Sequence, residues 1–274
     1  MASAVKGDVL NMGRRTKPSV CVLKTDGINC DRETLHAFDL AGGKTQLVHI
    51  NELRSGERRL ESYEILVIPG GFSYGDDVAS GKILALELNS YLGDQINEFV
   101  QRRKGLVLGV CNGFQVLVRT GLLPFGTMGE MQSTLSHNDS GHFECRWVNL
   151  KVEDNNACVF LEGMNGTVSY QVAHGEGKFF ARQPELKRIE AEKLVVFRYC
   201  DTLGNPTQEY PLNPNGSLNA IAGITDPSGR ILGLMPHPER FVRRTQHPIW
   251  RRMHDLEPQG LPIFEKMVSY ASQM

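Results

Sequence analysis

The chain has 274 residues, 41% of them hydrophobic and 22% charged, a balance that suits a globular protein of one large domain or two small ones; a single domain over 19–274 is expected. The formal net charge of -1 gives no broad electrostatic ground for a nucleic acid or an anionic membrane as partner, and no apolar run approaches the length of a membrane span. The six cysteines, at 21, 30, 111, 145, 158 and 200, show no C-x-x-C or zinc spacing, which favours a reduced, cytoplasmic chain over a disulfide framework.

Residues 1–18 hold few apolar side chains and no sustained period, so they are expected to form a mobile extension. Arg14, Arg15 and Lys17 lie there without the amphipathic face of a transit peptide, and no apolar core of a signal peptide is present. From Ser19 the pattern alternates between strands and helices, the signature of a parallel sheet covered on both faces. Strands are expected at 19–24, 45–50 and 64–69. Between the first two, Asp31 is placed to cap a helix whose Leu35, Phe38 and Ala41 share one face, and Gly42-Gly43 ends it. A glycine-rich loop at 70–77 leads to a long helix over 82–103, with Leu84, Leu88, Tyr91, Leu92, Ile96 and Phe99 at helical spacing. After Gly121 the helical signal fades, and the runs at 143–152, 167–173, 194–200, 218–224 and 230–235 read as antiparallel additions and edge strands. The stretch 203–217, rich in Pro, Asn and Gly, is the longest irregular one.

The segment from Gly105 to Gly121 is a short apolar run that breaks at Cys111 and resumes with helical spacing. Gly109 and Gly113 flank the cysteine in the pattern Gly-x-Cys-x-Gly, a nucleophile elbow with sulfur in place of a serine hydroxyl. Strand and helix pass closely at such a turn, so residues two before and two after the nucleophile have no room for a Cβ. A helix N-terminus also favours a thiolate over a thiol. The competing interpretation is a buried structural cysteine beside helix-packing glycines.

A nucleophilic cysteine needs a base, and the chain offers eight histidines. His36 falls within an expected helix, His49 ends an expected strand, and His247 and His254 lie in an arginine-rich stretch taken as surface. His137, His142 and His174 lie in polar loops and remain candidates for substrate or interface contacts. His237 stands apart in Pro236-His-Pro-Glu239, directly after an apolar strand. Proline restricts that loop, and Glu239 two residues on is placed to accept the Nδ1–H, which leaves Nε2 for a thiol. A simple turn is the alternative. A third strand end, Pro69-Gly70-Gly71-Phe72-Ser73, exposes successive backbone N–H groups; that of Gly71, with the N–H of Asn112, would complete an oxyanion hole. The spacing from Gly75 to Lys82 does not fit a phosphate-binding loop, since it is one residue too long and Ile83 stands where Ser or Thr is needed. Asp76 and Asp77 are expected to be solvated, with no metal site.

These strand ends carry a resemblance to class I glutamine amidotransferases, a flavodoxin-like α/β fold whose Cys-His-Glu triad maps onto Cys111, His237 and Glu239. Longer strings narrow it to the glutaminase-subunit family of phosphoribosylformylglycinamidine synthase: Thr25-Asp-Gly-Ile-Asn-Cys-Asp31, Gly70-Gly-Phe-Ser-Tyr-Gly-Asp76, Cys111-Asn-Gly-Phe-Gln115, Ala173-His-Gly-Glu-Gly177, Asn213-Pro-Asn-Gly-Ser217 and Met235-Pro-His-Pro-Glu-Arg240. They span nearly all of the chain after residue 18. The departures are the extension and His142, where a basic residue such as arginine is expected. The resemblance implies glutamine hydrolysis through a thioester, with Gln115 and Phe72 binding substrate and no cofactor or metal on this chain. It also implies delivery of ammonia to a separate synthetase subunit that uses ATP and Mg, together with a small accessory subunit. Another cysteine hydrolase on the same scaffold, such as a peptidase or glutamyl hydrolase, and a non-catalytic interaction protein are the alternatives.

Overall fold

The computed structural model describes residues 17–253 and 255–274, so the expected extension, apart from Lys17 and Pro18, and also His254 lie outside the described residues. The strands are β1 (Ser19–Lys24), β2 (Lys44–His49), β3 (Ile65–Ile68), β4 (Leu106–Val110), β5 (Ser133–Ser136), β6 (Glu144–Val152), β7 (Thr167–His174), β8 (Lys178–Ala181), β9 (Val195–Cys200), β10 (Ile221–Thr225) and β11 (Ile231–Leu234). The helices are α1 (Asp31–Leu40), α2 (Ile50–Ser55), α3 (Lys82–Tyr91), α4 (Gly93–Asn97), α5 (Asn112–Thr120), α6 (Gln183–Ala191) and α7 (Leu261–Ala271). None of these helices is long and apolar enough to cross a membrane.

A nine-stranded sheet runs in the order β2-β1-β3-β4-β11-β10-β9-β6-β7, and β5 pairs with β8 in a separate ribbon. The first five strands are mutually parallel and the remaining pairings are antiparallel. β3, β4 and β11 read Ile-Leu-Val-Ile, Leu-Val-Leu-Gly-Val and Ile-Leu-Gly-Leu and are buried along their whole length. Strands without a polar face require cover on both sides, and helices supply it. α1 packs with α7, where Phe38 meets Phe264 edge-on at 5.0 Å, while α5 packs with α3 and lies on β3, β4 and β11. Gly233 in β11 admits α5 at close range, because a Cβ there would fall 2.2 Å from the Phe114 ring.

Several expectations change. β11 is not an antiparallel addition or an edge strand; it lies at the centre of the sheet, parallel to β4. The reversal happens at 226–230, where Asp226 Oδ1 accepts from the N–H groups of Arg230 (3.0 Å) and Ile231 (2.9 Å) and turns the chain back into β11. The helix expected over 82–103 is three pieces: α3 ends at Tyr91, before the non-helical Leu92 (φ -120°, ψ 5°), α4 follows from Gly93, and a wide turn closes Glu98–Arg102. Apolar spacing continued across the break because all three pieces press the same face on the core. The run at 218–224 starts as a helical turn, Leu218–Ala220, before β10. Asp31 does not cap α1 but is its first residue, ion-paired with Lys24 at 3.3 Å. β5, β8, α2, α6 and α7 are additional to the expected elements.

Candidate active site

β3, β4 and β11 are adjacent and parallel, so the loops that follow them open on one edge of the sheet. That edge brings Gly70-Gly71, Cys111 and His237 together. Val110 is in register with Leu234, and the Cys111 N–H donates to the Leu234 carbonyl at 2.8 Å. Cys111 has φ 52° and ψ -106°. An L-residue keeps such a conformation only where its surroundings impose it, at a cost on the order of 1–3 kcal/mol. Here the imposition is steric. A Cβ on Gly113 would lie 1.8 Å from the Ile68 carbonyl oxygen, and one on Gly109 would lie 2.6 Å from both the Gly113 carbonyl oxygen and Leu117. The elbow can close only with glycine at both places. The Cys111 sulfur points to the Ala173 carbonyl, 3.6 Å away.

His237 is anchored through its N–H to the Gln171 carbonyl at 2.8 Å, which ties the loop after β11 to β7. Its Nδ1 meets Glu239 Oε1 at 2.5 Å, with the two side chains 1% and 0% exposed. Nε2 has no hydrogen-bond partner among the described residues. Burial opposes a charge on this imidazole. The Glu239 carboxylate and the Cys111 sulfur outweigh it and hold the His237 pKa well above its ordinary value. The arrangement can therefore store a proton on His237 next to the sulfur.

A second sulfur lies on the other side. Cys30, Glu33, His237 and Glu239 present ligand-type atoms within 4.8 Å of one another. Arg240 occupies that cluster, with Nη2 donating to Cys30 Sγ at 3.1 Å and Nε to Glu33 at 3.0 Å. Its fixed positive charge lies directly against two of those four groups. Burial, the largest influence, pushes the Cys30 thiol up.

Gly70 faces the pair directly, since a Cβ there would fall 2.7 Å from His237 Cε1 and 3.4 Å from Cys111 Cβ. Gly71, at φ 140°, passes so close to residues 27–29 that a Cβ would meet the Asn29 nitrogen at 2.7 Å. Phe72 N–H donates to the Gly27 carbonyl at 2.9 Å, whereas the N–H groups of Gly71 and Asn112 have no acceptor among the described residues. Gln115 is not on the helix surface: it is 3% exposed, its Nε2 donates to the Glu176 carbonyl, and its Oε1 accepts from Asn112. Phe72 is half exposed and stacks on Phe143 with ring centroids 6.3 Å apart.

His174 is the largest departure among the histidines. It ends β7, not a polar loop, and is fully buried. Asn138 Nδ2 is spent on the carbonyls of His142 and His174, so its Oδ1 faces His174 Nδ1 as acceptor at 3.2 Å. Asn215 Oδ1 accepts from Ser217, so its Nδ2 faces His174 Nε2 as donor at 3.4 Å. The two amides thus select the neutral Nδ1–H tautomer. Burial lowers its pKa to about 3, with the neighbouring His237 charge adding to the effect. His247, expected at the surface, is half-buried in a mostly exposed stretch, with its ring against Trp147 at 4.5 Å and Phe241 at 5.3 Å.

A thiol on a strained elbow, a buried imidazole–carboxylate pair and two unengaged N–H groups are gathered at neighbouring strand ends of a doubly wound sheet, an arrangement chemically suited to an amidotransferase-type hydrolase. The chain belongs to the CobB/CobQ-like glutamine amidotransferase domain family, whose pattern matches residues 17–271. Within that family it is similar to the phosphoribosylformylglycinamidine synthase subunit PurQ of Methanococcus maripaludis, at 45% identity over 267 residues, covering 92% of this chain and 97% of that one. The same subunit of Dehalococcoides mccartyi is 46% identical over 260 residues, covering 94% of this chain and 100% of that one. Among solved structures, a chain of PurLQS from Thermotoga maritima is 30% identical with a TM-score of 0.70, covering 93% of this chain and 99% of that chain.

Proposed function

We propose that Cys111, His237 and Glu239 hydrolyse L-glutamine to glutamate and ammonia, in a chain that serves as the glutaminase subunit of a phosphoribosylformylglycinamidine synthase. The observation that carries this is the buried His237–Glu239 pair held one strand away from a thiol on an enforced elbow. The Cys111 sulfur attacks the side-chain amide carbon, and the carbonyl oxygen becomes an oxyanion held by the N–H groups of Gly71 and Asn112. His237 gives its proton to the departing nitrogen, and ammonia leaves behind a thioester. His237 then takes a proton from water, the hydroxide attacks the thioester through a second oxyanion, and glutamate and the thiol are released. Glu239 keeps the imidazole in the required tautomer and balances its charge. Gln115 retains one amide hydrogen and part of its oxygen's capacity for the substrate, and Phe72 walls the entrance.

PurLQS of Thermotoga maritima supports a partner of the synthetase type for this chain. That partner uses ammonia and ATP to convert formylglycinamide ribonucleotide to its amidine. Six free cysteines support a reducing, cytoplasmic setting. In the reconstituted complex, Cys111→Ala should abolish glutamine-dependent synthesis and leave ammonia-dependent synthesis intact; equal loss of both would make Cys111 structural.

A further inference from the structure

The loop that leads from Gly71 to α3 holds an unfavourable backbone: Tyr74, Gly75, Asp76 and Val78 have φ of 55°, 71°, 54° and 72°. Tyrosine and a β-branched valine seldom take such values. Val78 is also 80% exposed, so burial of its side chain does not hold it there. Hydrogen bonds do, and they converge on one amide. Ser73 Oγ donates to Asn112 Oδ1 at 2.7 Å, and Asn112 Nδ2 donates to Asp76 Oδ1 at 3.0 Å and to Gln115 Oε1 at 3.2 Å. The other Asp76 oxygen accepts from Ser80 Oγ at 3.0 Å, which ties it to the start of α3. Both amide hydrogens of Asn112 are committed, and the residue is only 1% exposed, so a lost partner leaves a buried polar group unpaired.

Asn112 is the residue whose own N–H opens α5 beside Cys111. One side chain just before the strained turn, Ser73, and one within it, Asp76, therefore grip the residue that carries an oxyanion donor. We infer that Ser73 and Asp76 are positioning residues for the hydrolysis: through the Asn112 side chain they aim the Asn112 N–H, and they make its aim depend on the conformation of the 72–81 loop. The inference rests on the glutaminase assignment of the site. Removing an oxyanion donor costs roughly 10²–10³ in rate, and a donor that is tilted but present costs less. Phe72 and Val78, exposed on the same loop, are where a contact from outside would reach the donor.

The test is a mutant cycle on the full chain assembled with its synthetase subunit, reading kcat and KM for glutamine, with thermal unfolding of each variant. Ser73→Ala and Asp76→Ala should each lower kcat about tenfold and leave KM within about twofold. Asp76→Asn keeps an oxygen for Asn112 and gains a donor for Ser80, so it should stay within about twofold of the parent. In an Asn112→Ala background, Ser73→Ala and Asp76→Ala should have no further effect on kcat, because the tether they act through is gone. Undiminished losses in that background would overturn the inference, as would losses confined to KM or an Asp76→Asn variant as slow as Asp76→Ala. Ser73→Ala removes one buried oxygen and carries the same cycle if Asp76→Ala does not fold. A parent chain without glutamine hydrolysis, and without labelling of Cys111 by an electrophilic glutamine analogue, would overturn the glutaminase assignment as well; failure of the tether alone leaves both intact.

Discussion

His237 and His174 are both buried, both close to Cys111, and electrostatically opposite. Around His237 the partners are a carboxylate and a sulfur, and the ring's pKa is raised; around His174 they are two carboxamides, and it is lowered to about 3. Burial acts in the same direction on both and is overcome in only one. The difference teaches that the surrounding charges, not depth in the protein, decide which imidazole can carry a proton at neutral pH. The neutral ring also avoids placing a second positive charge beside the first.

The comparison breaks most sharply on turnover. His237→Ala should reduce glutaminase kcat by on the order of 10⁴-fold, and Glu239→Ala by roughly tenfold to a hundredfold less than that, since it removes orientation and not the proton carrier. Steady-state rates on folded protein check both. A His174→Ala variant as slow as His237→Ala would mean that the base has been misassigned.

The smaller effect concerns stability. His174→Ala should cost about 2–4 kcal/mol at neutral pH through a cavity and two loosened amides. The folded pKa of His174 lies below the unfolded value of about 6.5. Its contribution is therefore present above pH 6.5 and is lost as pH falls toward 3, by about 1.4 kcal/mol per unit. Between pH 7 and pH 5 the gap between parent and His174→Ala should narrow by roughly 2 kcal/mol in urea unfolding. His237, with a raised pKa, has the opposite sign: its contribution is full below pH 6.5 and is lost as pH rises through the folded value. A constant gap would mean that His174 is not held neutral.

The parts of the site legible in the sequence are those with a local signature. Gly109 and Gly113 mark the elbow because they flank Cys111 within five residues of chain, although the atom that excludes a Cβ at Gly113 is the Ile68 carbonyl oxygen on β3, and Pro236 and Pro238 mark the His237 loop at equally short range. The tautomer of His174 has no local signature. Its two amides arrive from 36 and 41 residues away, and the glycines after it resemble a loop although the residue closes a strand. The direction of β11 was likewise hidden, because an apolar run buried on both faces looks the same parallel or antiparallel. The grip of Ser73 and Asp76 on Asn112 joins side chains 39 and 36 residues apart, each of which reads by itself as a solvated loop residue.

Cys145 stands apart from the other five cysteines, all of which are buried. It lies on β6 directly across from Ala173, the residue whose carbonyl touches the Cys111 sulfur. A bulky maleimide dye should react there first, in a single fast phase that Cys145→Ser removes. The chain thus offers an attachment point for a reporter one strand from the site, through which arrival of glutamine can be followed as a change in emission without altering the residues proposed to react with it.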